Sequence, residues 1–357
     1  MIHFFANDRR RSGISSRREW LRIGGLAGLN WLSASRRSAQ ATTGSGTSTG
    51  VPGFGKARSI ILVYTAGGQS QLETWDPKPE APETVRGEFR PIATSVPGTF
   101  VGEHMPRLAR LADRYTIVRS LSHDDLADNQ RTDMDHLYRQ AFEVLASPIC
   151  REAFDLSAEP DEVRDRYGRN RPGQACPLAR RLVEAGVPLV TVFWNFTIRG
   201  QDKTPASTET YGWDTHNDIF EALKVHLLPH FDVGFSALLE DLDQRGLLDQ
   251  TLVVCMGEFG RAPRIALEPT FAGLTPGRKH WPSAYSAVLA GAGITRGAVY
   301  GGTDRFAAQP RSRRLGPWDI AATMFSALGV NPATEYFDSQ GRPLTVSVGQ
   351  PIAGLYQ

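Results

Sequence analysis

The chain reads as an α/β protein: a three-layer sandwich in which a mostly parallel central sheet is covered by helices on both faces. Three observations lead there. Short β-branched apolar runs alternate with longer stretches whose apolar residues recur at spacings of three and four, the patterns of strand and amphipathic helix in turn. The short runs are nearly continuous in apolar character, as strands buried on both faces are. The chain has 357 residues, 41% hydrophobic and 22% charged, which suits one large globular domain.

The first 41 residues stand apart from that body. They hold eight arginines (Arg9, Arg10, Arg11, Arg17, Arg18, Arg22, Arg36, Arg37) and two acids, Asp8 and Glu19, so the remainder carries 32 basic against 36 acidic residues. A mildly acidic body gives no electrostatic footprint for nucleic acid. Within the segment, "SSRREWLR" contains the twin arginine Arg17-Arg18. The 12-residue apolar stretch "IGGLAGLNWLSA" (23–34) follows, and "AQA" (39–41) offers a small-residue cleavage site. The pattern resembles a twin-arginine (Tat) signal peptide. It implies the Tat export machinery as a partner and the periplasm or cell exterior as destination; a disordered basic arm is the alternative. Twelve residues fall short of the roughly 20 that span a bilayer, and no later stretch is apolar for longer, so no stable membrane anchor is expected. The three cysteines, Cys150, Cys176 and Cys255, form no CxxC and an odd set, which speaks against a disulfide framework.

A Gly/Ser/Thr-rich linker occupies 42–58, and a single domain is expected over 59–357. Strands are expected at "SIILVYT" (59–65), "YTIVRSL" (115–121), "VPLVTVFW" (187–194), "TLVVCMG" (251–257) and "SAYSAVLAG" (283–291). Helices are expected at 105–114, 176–186, 220–246 and 317–329, several of them ending near glycine. In open α/β sheets, ligands gather beyond the carboxyl ends of the strands, so the residues just after each run matter most. They are "AGGQSQLETWDPKP", "SHDD", the loop leading to "GWDTH", and "GEFGR". "GRKHWP" precedes the fifth run and enters it from the opposite end unless a loop folds back.

Asp214 and His216 are two residues apart, so in extended backbone both side chains share a face. A carboxylate and an imidazole so placed suit a divalent ion; an Asx-type turn with an exposed histidine is the alternative. Trp213 beside Gly212 suggests a tight turn with an aromatic lid. Glu258 follows directly on an apolar run, either as a functional carboxylate or as the partner of Arg261 in an ion pair. His280 sits among Arg278, Lys279 and Trp281; a hydrogen-bonded structural histidine is the commoner case for one histidine alone. Gly67-Gly68 allow close backbone approach to a ligand, although "TAGGQSQLETWDPKP" lacks the pattern of a nucleotide P-loop. Ser70 is a candidate nucleophile without GxSxG or a placed base. His123, in "SHDD", and Arg261 are the other candidates for catalytic groups. His104, His136, His226 and His230 lie in helix-like stretches and read as packing or surface histidines.

"GGQSQLETWDPKP", "EHMPRLARLADRYTIVRSLSH", "LARRLVEAGVPLVTV", "GWDTH", "LLEDLDQRGLLDQTLVVCMGEFGR", "GRKHWPSAYSAVLAGAGI" and "WDIAATMFSALGV" together resemble the DUF1501 family, over most of residues 59–345. The resemblance implies a relation to the alkaline phosphatase and sulfatase superfamily, with its fold, divalent metals at the strand ends (zinc or calcium), and hydrolysis of phosphate or sulfate esters. The substrates implied are small anionic esters or sulfated or phosphorylated glycans. By that resemblance Asp214, His216, Glu258 and His280 are metal ligands, and Glu73 and Asp76 are further ligand-like positions. It also implies a departure: after "RSLSH" the chain passes near 124–129 directly into "RTDMDHLYRQAFEVLASPICREAFDLS". The chain therefore looks internally shortened where related sulfatases carry the covalent nucleophile. A non-catalytic exported binding or structural protein that keeps the fold is the alternative reading.

Overall fold

The structure, a computed structural model, describes residues 50–124, 148–194, 212–337 and 341–356. The signal segment 1–41, residues 42–49 of the linker, His136 and residues 125–129 of the shortened stretch lie outside the described residues.

All five expected strands form, each trimmed by one to three residues, together with a sixth. They are β1 (Ser59–Tyr64), β2 (Thr116–Leu121), β3 (Leu189–Phe193), β4 (Thr251–Met256), β5 (Tyr285–Ala290) and β6 (Ala298–Tyr300). One sheet holds them in the spatial order β6-β2-β5-β4-β1-β3. The sixth strand has three residues between Gly297 and Gly301, too few to show a period in the sequence. β1 pairs in parallel with β3 and β4, and β6 in parallel with β2. β5 runs antiparallel to both β2 and β4. The sheet is therefore mixed, which corrects the mostly parallel sheet expected above. Its cause is the connection from β4 to β5. A parallel return needs a crossover, usually helical, and residues 257–284 contain no helix, only a two-residue ribbon of Gly260–Arg261 with His280–Trp281. The chain re-enters beside the strand it left, at the same end of the sheet.

Alternate side chains point to opposite faces. Ile61, Val63, Val253, Cys255 and Val288 join a large core under helices α1 (Arg171–Glu184) and α2 (Leu228–Gln244), centred on Phe231, Phe235 and Leu238. Ile60, Leu252, Val254, Ala287 and Leu289 face a smaller core beneath α3 (Pro317–Ala327) and Leu355. Every residue of β4 and β5 is buried, which their unbroken apolar runs require. Cys176 and Cys255 are free and buried, and burial pushes both thiols far above their ordinary range, so they act as small hydrophobes.

α1 begins five residues before the expected 176, because Asn170 caps it. The Asn170 side chain accepts from the Gly173 N–H at 2.9 Å, and Pro172 fills the first turn. The expected helix over 220–246 is divided. A short turn, Ile219–Glu221, leads into π-helix at Ala222–Leu227 and then into α2, whose first turn holds Pro229. Proline has no N–H to return to a carbonyl one turn back, so the ordinary ladder is interrupted where the wider turn stands. The expected helix over 105–114 is the short Pro106–Arg110 followed by a 3-10 turn, Ala112–Arg114. No described helix is long and apolar enough to cross a membrane.

Candidate metal centre

Because β5 runs backwards, the segment before it lies at the same end of the sheet as the segment after β4. That places His280 beside the residues following β1 and β4. Asp214, His216 and His280 converge there as a candidate metal-binding triad. His280 Nε2 lies 2.8 Å from Asp214 Oδ1, His216 Nε2 lies 3.1 Å from the same oxygen, and the two Nε2 atoms are 3.2 Å apart. Ligands of one tetrahedral ion with bonds of about 2.0–2.1 Å stand roughly 3.3 Å from each other, so these three atoms have nearly that spacing. Protons alone serve this arrangement poorly, since two ring nitrogens and one oxygen meet at a point and at least one contact lacks a properly placed hydrogen. Asp214 and His216 are buried, and the His280 side chain is 39% exposed, so the triad opens to solvent on one side.

The backbone around the triad is close-packed. Gly67 and Gly68 have φ of +101° and +84°, and a Cβ on them would come within 2.6 Å of the Asp214 nitrogen and 2.5 Å of the Phe259 ring. The Gly-Gly pair therefore seats the Asp214 and Phe259 segments; the close approach is to the protein's own backbone and rings. Phe271 stacks on His216 with ring centroids 3.8 Å apart, and Phe259 lies 4.2 Å from the His280 ring, so both imidazoles are held by aromatic contacts. Trp213, expected as a lid, is buried against Phe231 in the core.

Charge at the site is dominated by Arg261, which is fully buried. It donates to Asp214 Oδ1 and to the carbonyls of Gly67, Gly68 and Arg278. Burial alone would push the Asp214 carboxyl up, but the hydrogen bonds from His216 and His280 and the Arg261 guanidinium outweigh it and hold Asp214 well below the usual carboxylate range. Arg261 is thus paired with Asp214, where the sequence suggested Glu258. Glu258, expected as a fourth ligand, is not in the triad: its Oε1 accepts from the Gly67 N–H at 2.7 Å, and its carboxylate lies by the Tyr64 phenol. Burial and, next, the Glu258 charge push the phenols of Tyr64 and Tyr285 well above their ordinary range.

The remaining candidates are engaged elsewhere. Ser70 donates to Glu73, and Glu73 forms a fully buried ion pair with Arg278 at 2.6 Å. Asp76 pairs with Lys78 at 2.9 Å and accepts from Thr303. Lys279 is exposed and paired with Glu268 at 3.0 Å. His123 sits with Nε2 2.9 Å from the Glu258 carbonyl oxygen and Nδ1 2.8 Å from that of Asp124. What the sequence did not disclose is how many polar groups at this end lack partners. Among the described residues, buried side-chain atoms of Thr65, Gln69 and Tyr285, besides Asp214 Oδ2 and His216 Nδ1, have no hydrogen-bond partner.

No curated protein matches the chain. The DUF1501 family, described as a protein of unknown function, matches in two stretches, residues 57–134 and 126–355. Those stretches span the central sheet, its helices and the triad, and the chain belongs to the DUF1501 family.

Proposed function

We propose that the chain is an exported, metal-dependent hydrolase-like protein acting on phosphate or sulfate esters, with the fold and site of the alkaline phosphatase and sulfatase type. The observation that carries this reading is the triad: two imidazoles and a carboxylate at ligand spacing, open on one side. Structural zinc sites are closed by four protein ligands, whereas three ligands and an open position characterise catalytic ones. The donor set favours zinc over calcium, which takes six to eight oxygens. When bound, a divalent ion supplies Lewis acidity and lowers the pKa of a water to about 7. This chain's residues then have distinct duties. Arg261 keeps Asp214 ionised and fixed, the rings of Phe259 and Phe271 fix the imidazoles, and Glu258 holds the Gly67 backbone that packs against Asp214.

A second reading, a metal-binding protein without turnover, is favoured by one observation: Ser70, the candidate nucleophile, is tied to Glu73. Turnover of aryl phosphates and aryl sulfates by the full chain with added zinc separates the two. The hydrolase reading expects turnover that is lost in Asp214→Ala and His280→Ala. Absence of turnover in a zinc-loaded parent overturns it in favour of the binder.

A further inference from the structure

The segment that follows β6 carries positive charge out to the same end of the sheet. Gly302–Thr303 and Pro310–Ser312 form a two-stranded ribbon, and Arg305, Arg311, Arg313 and Arg314 lie on it or directly after it, all exposed. Among the described residues Arg305, Arg311 and Arg313 have no carboxylate partner. Arg314 pairs with Asp124 at 3.6 Å, with both side chains mostly exposed. Two of the guanidiniums are instead held on aromatic faces, Arg305 at 4.4 Å over Phe306 and Arg313 at 4.7 Å over Tyr300. Arg314 Nε donates to the Ser122 hydroxyl at 2.8 Å.

The ribbon is built stiffly. Asp304 accepts from the N–H groups of Phe306 and Ala308 at 3.0 and 2.9 Å, which closes its tip. Of the four described non-glycine residues with positive φ, two lie here: Ala307 at +54° and Arg313 at +51°. Glycine would adopt that conformation freely, so an arginine held there, with its cation over a ring, is an outlier that points to use. The ribbon also touches the triad's own supports. The Ala308 carbonyl accepts from Trp281 Nε1 at 2.8 Å, next to His280, and the Ala307 carbonyl accepts from Gln71 Nε2 at 3.2 Å. That same Gln71 amide also donates to the Arg261 carbonyl.

We propose that this ribbon is a docking subsite for a linear polyanion bearing several sulfate or phosphate groups, and that the polymer lies along Arg305, Arg311, Arg313 and Arg314 with an ester group directed to the triad. The proposal rests on the hydrolase reading for its substrate and adds to it a second site, separate from the triad, that favours a polymer with several anionic groups over a small ester. Three guanidiniums held on a ring or on Ser122, with exposed Arg311 beside them, are suited to repeated anionic groups, which planar, bidentate donors recognise well. Nucleic acid is the poorer fit. Phe306 in the ribbon and Tyr300 at the end of β6 each have a guanidinium over the ring, where a base would have to stack, and the body of the chain is acidic.

The test is binding of dextran sulfate and of inorganic polyphosphate to the full chain, titrated across salt concentration. Parallel titrations use Arg305→Ala/Arg311→Ala/Arg313→Ala/Arg314→Ala, the same four positions changed to Lys, and Arg311→Ala alone. The parent is expected to bind at least one probe, and which probe wins tells sulfate from phosphate. The fourfold Ala variant should lose about tenfold or more in affinity at low salt and roughly three from the slope of log affinity against log salt, while the Lys variant retains most of that slope. Arg311→Ala, which removes one exposed cation without disturbing a ring contact, should lose about one from the slope even if the fourfold variant folds poorly. All titrations are run on chelator-stripped protein, so that the contribution of the arginines is read without a metal and failure of the subsite is distinguishable from failure of the metal reading. Unchanged polymer affinity in the Arg variants, no binding of either probe by the parent, or tighter binding of single-stranded DNA than of both probes would overturn the proposal.

Discussion

Asp214 Oδ1 is the most heavily used atom at the site, with two imidazole nitrogens and a guanidinium around it. Removing its charge affects two things at once. Asp214→Asn is expected to cut zinc affinity by more than about 100-fold, because even indirect ligand supports are worth 10–100-fold. It should also destabilise the metal-free protein by about 3–5 kcal/mol, since Arg261 would keep its charge in a buried site without a partner. Equilibrium dialysis and urea unfolding measure the two effects separately. Gly67→Ala and Gly68→Ala should each cost about 2 kcal/mol or more in the same unfolding experiment, because left-handed backbone and backbone-range contacts penalise a Cβ together. At this scale the sequence told part of the story. Asp214 and His216 were readable because a spacing of two puts both side chains on one face, and His280 through the family resemblance. Glu73 and Arg278 were not, since which acid meets which base is decided by tertiary approach across about 200 positions, and it is that pair which holds Glu73 where Ser70, three residues before it, donates.

Among elements, the helix-to-helix seam depends on ions as well as on apolar packing. Arg180 on α1 reaches Asp241 on α2 at 2.9 Å and Glu159 at 2.7 Å, and the Tyr167 hydroxyl donates to Asp241 at 2.7 Å. For Asp241, burial raises the carboxyl, but the Arg245 and Tyr167 hydrogen bonds and the Arg180 charge outweigh it and hold the group below its ordinary value. A depressed carboxyl stabilises the fold above its unfolded pKa of about 3.9, and that contribution disappears as pH falls through the lower, folded value. Unfolding midpoints measured from pH 6 down to pH 2 should therefore drop, and Asp241→Asn should flatten the drop while lowering stability at pH 6. Element identity was largely legible, because long buried strands and amphipathic helices announce themselves by period. Boundaries were less so: the Asn170 cap lengthened α1, and Pro229 divided the long helix, both by local backbone bonding that an apolar period does not record.

For the whole molecule, one reversed strand matters most. β5 runs against its neighbours and so brings His280 to the end of the sheet where Asp214 and Glu258 stand. A fully parallel sheet would have left that histidine at the far end. The sequence carried the hint that a loop folding back would reverse the strand, but apolar period is the same in either direction, so strand direction had to come from the structure. If the centre is a genuine ligand site, metal and fold are linked by mass action. Zinc at about 100 times its dissociation constant should add roughly 2.7 kcal/mol, seen as a rise in melting temperature of about 5 °C or more that chelator reverses.

The central claim is that three side chains from distant parts of the chain hold one ion. Zinc stoichiometry of the chelator-stripped and reloaded full chain, compared with His216→Ala and His280→Ala, tests it most directly. One zinc per chain in the parent and none retained by either variant is the expected result. No zinc in the parent, or one per chain in both variants, would contradict it.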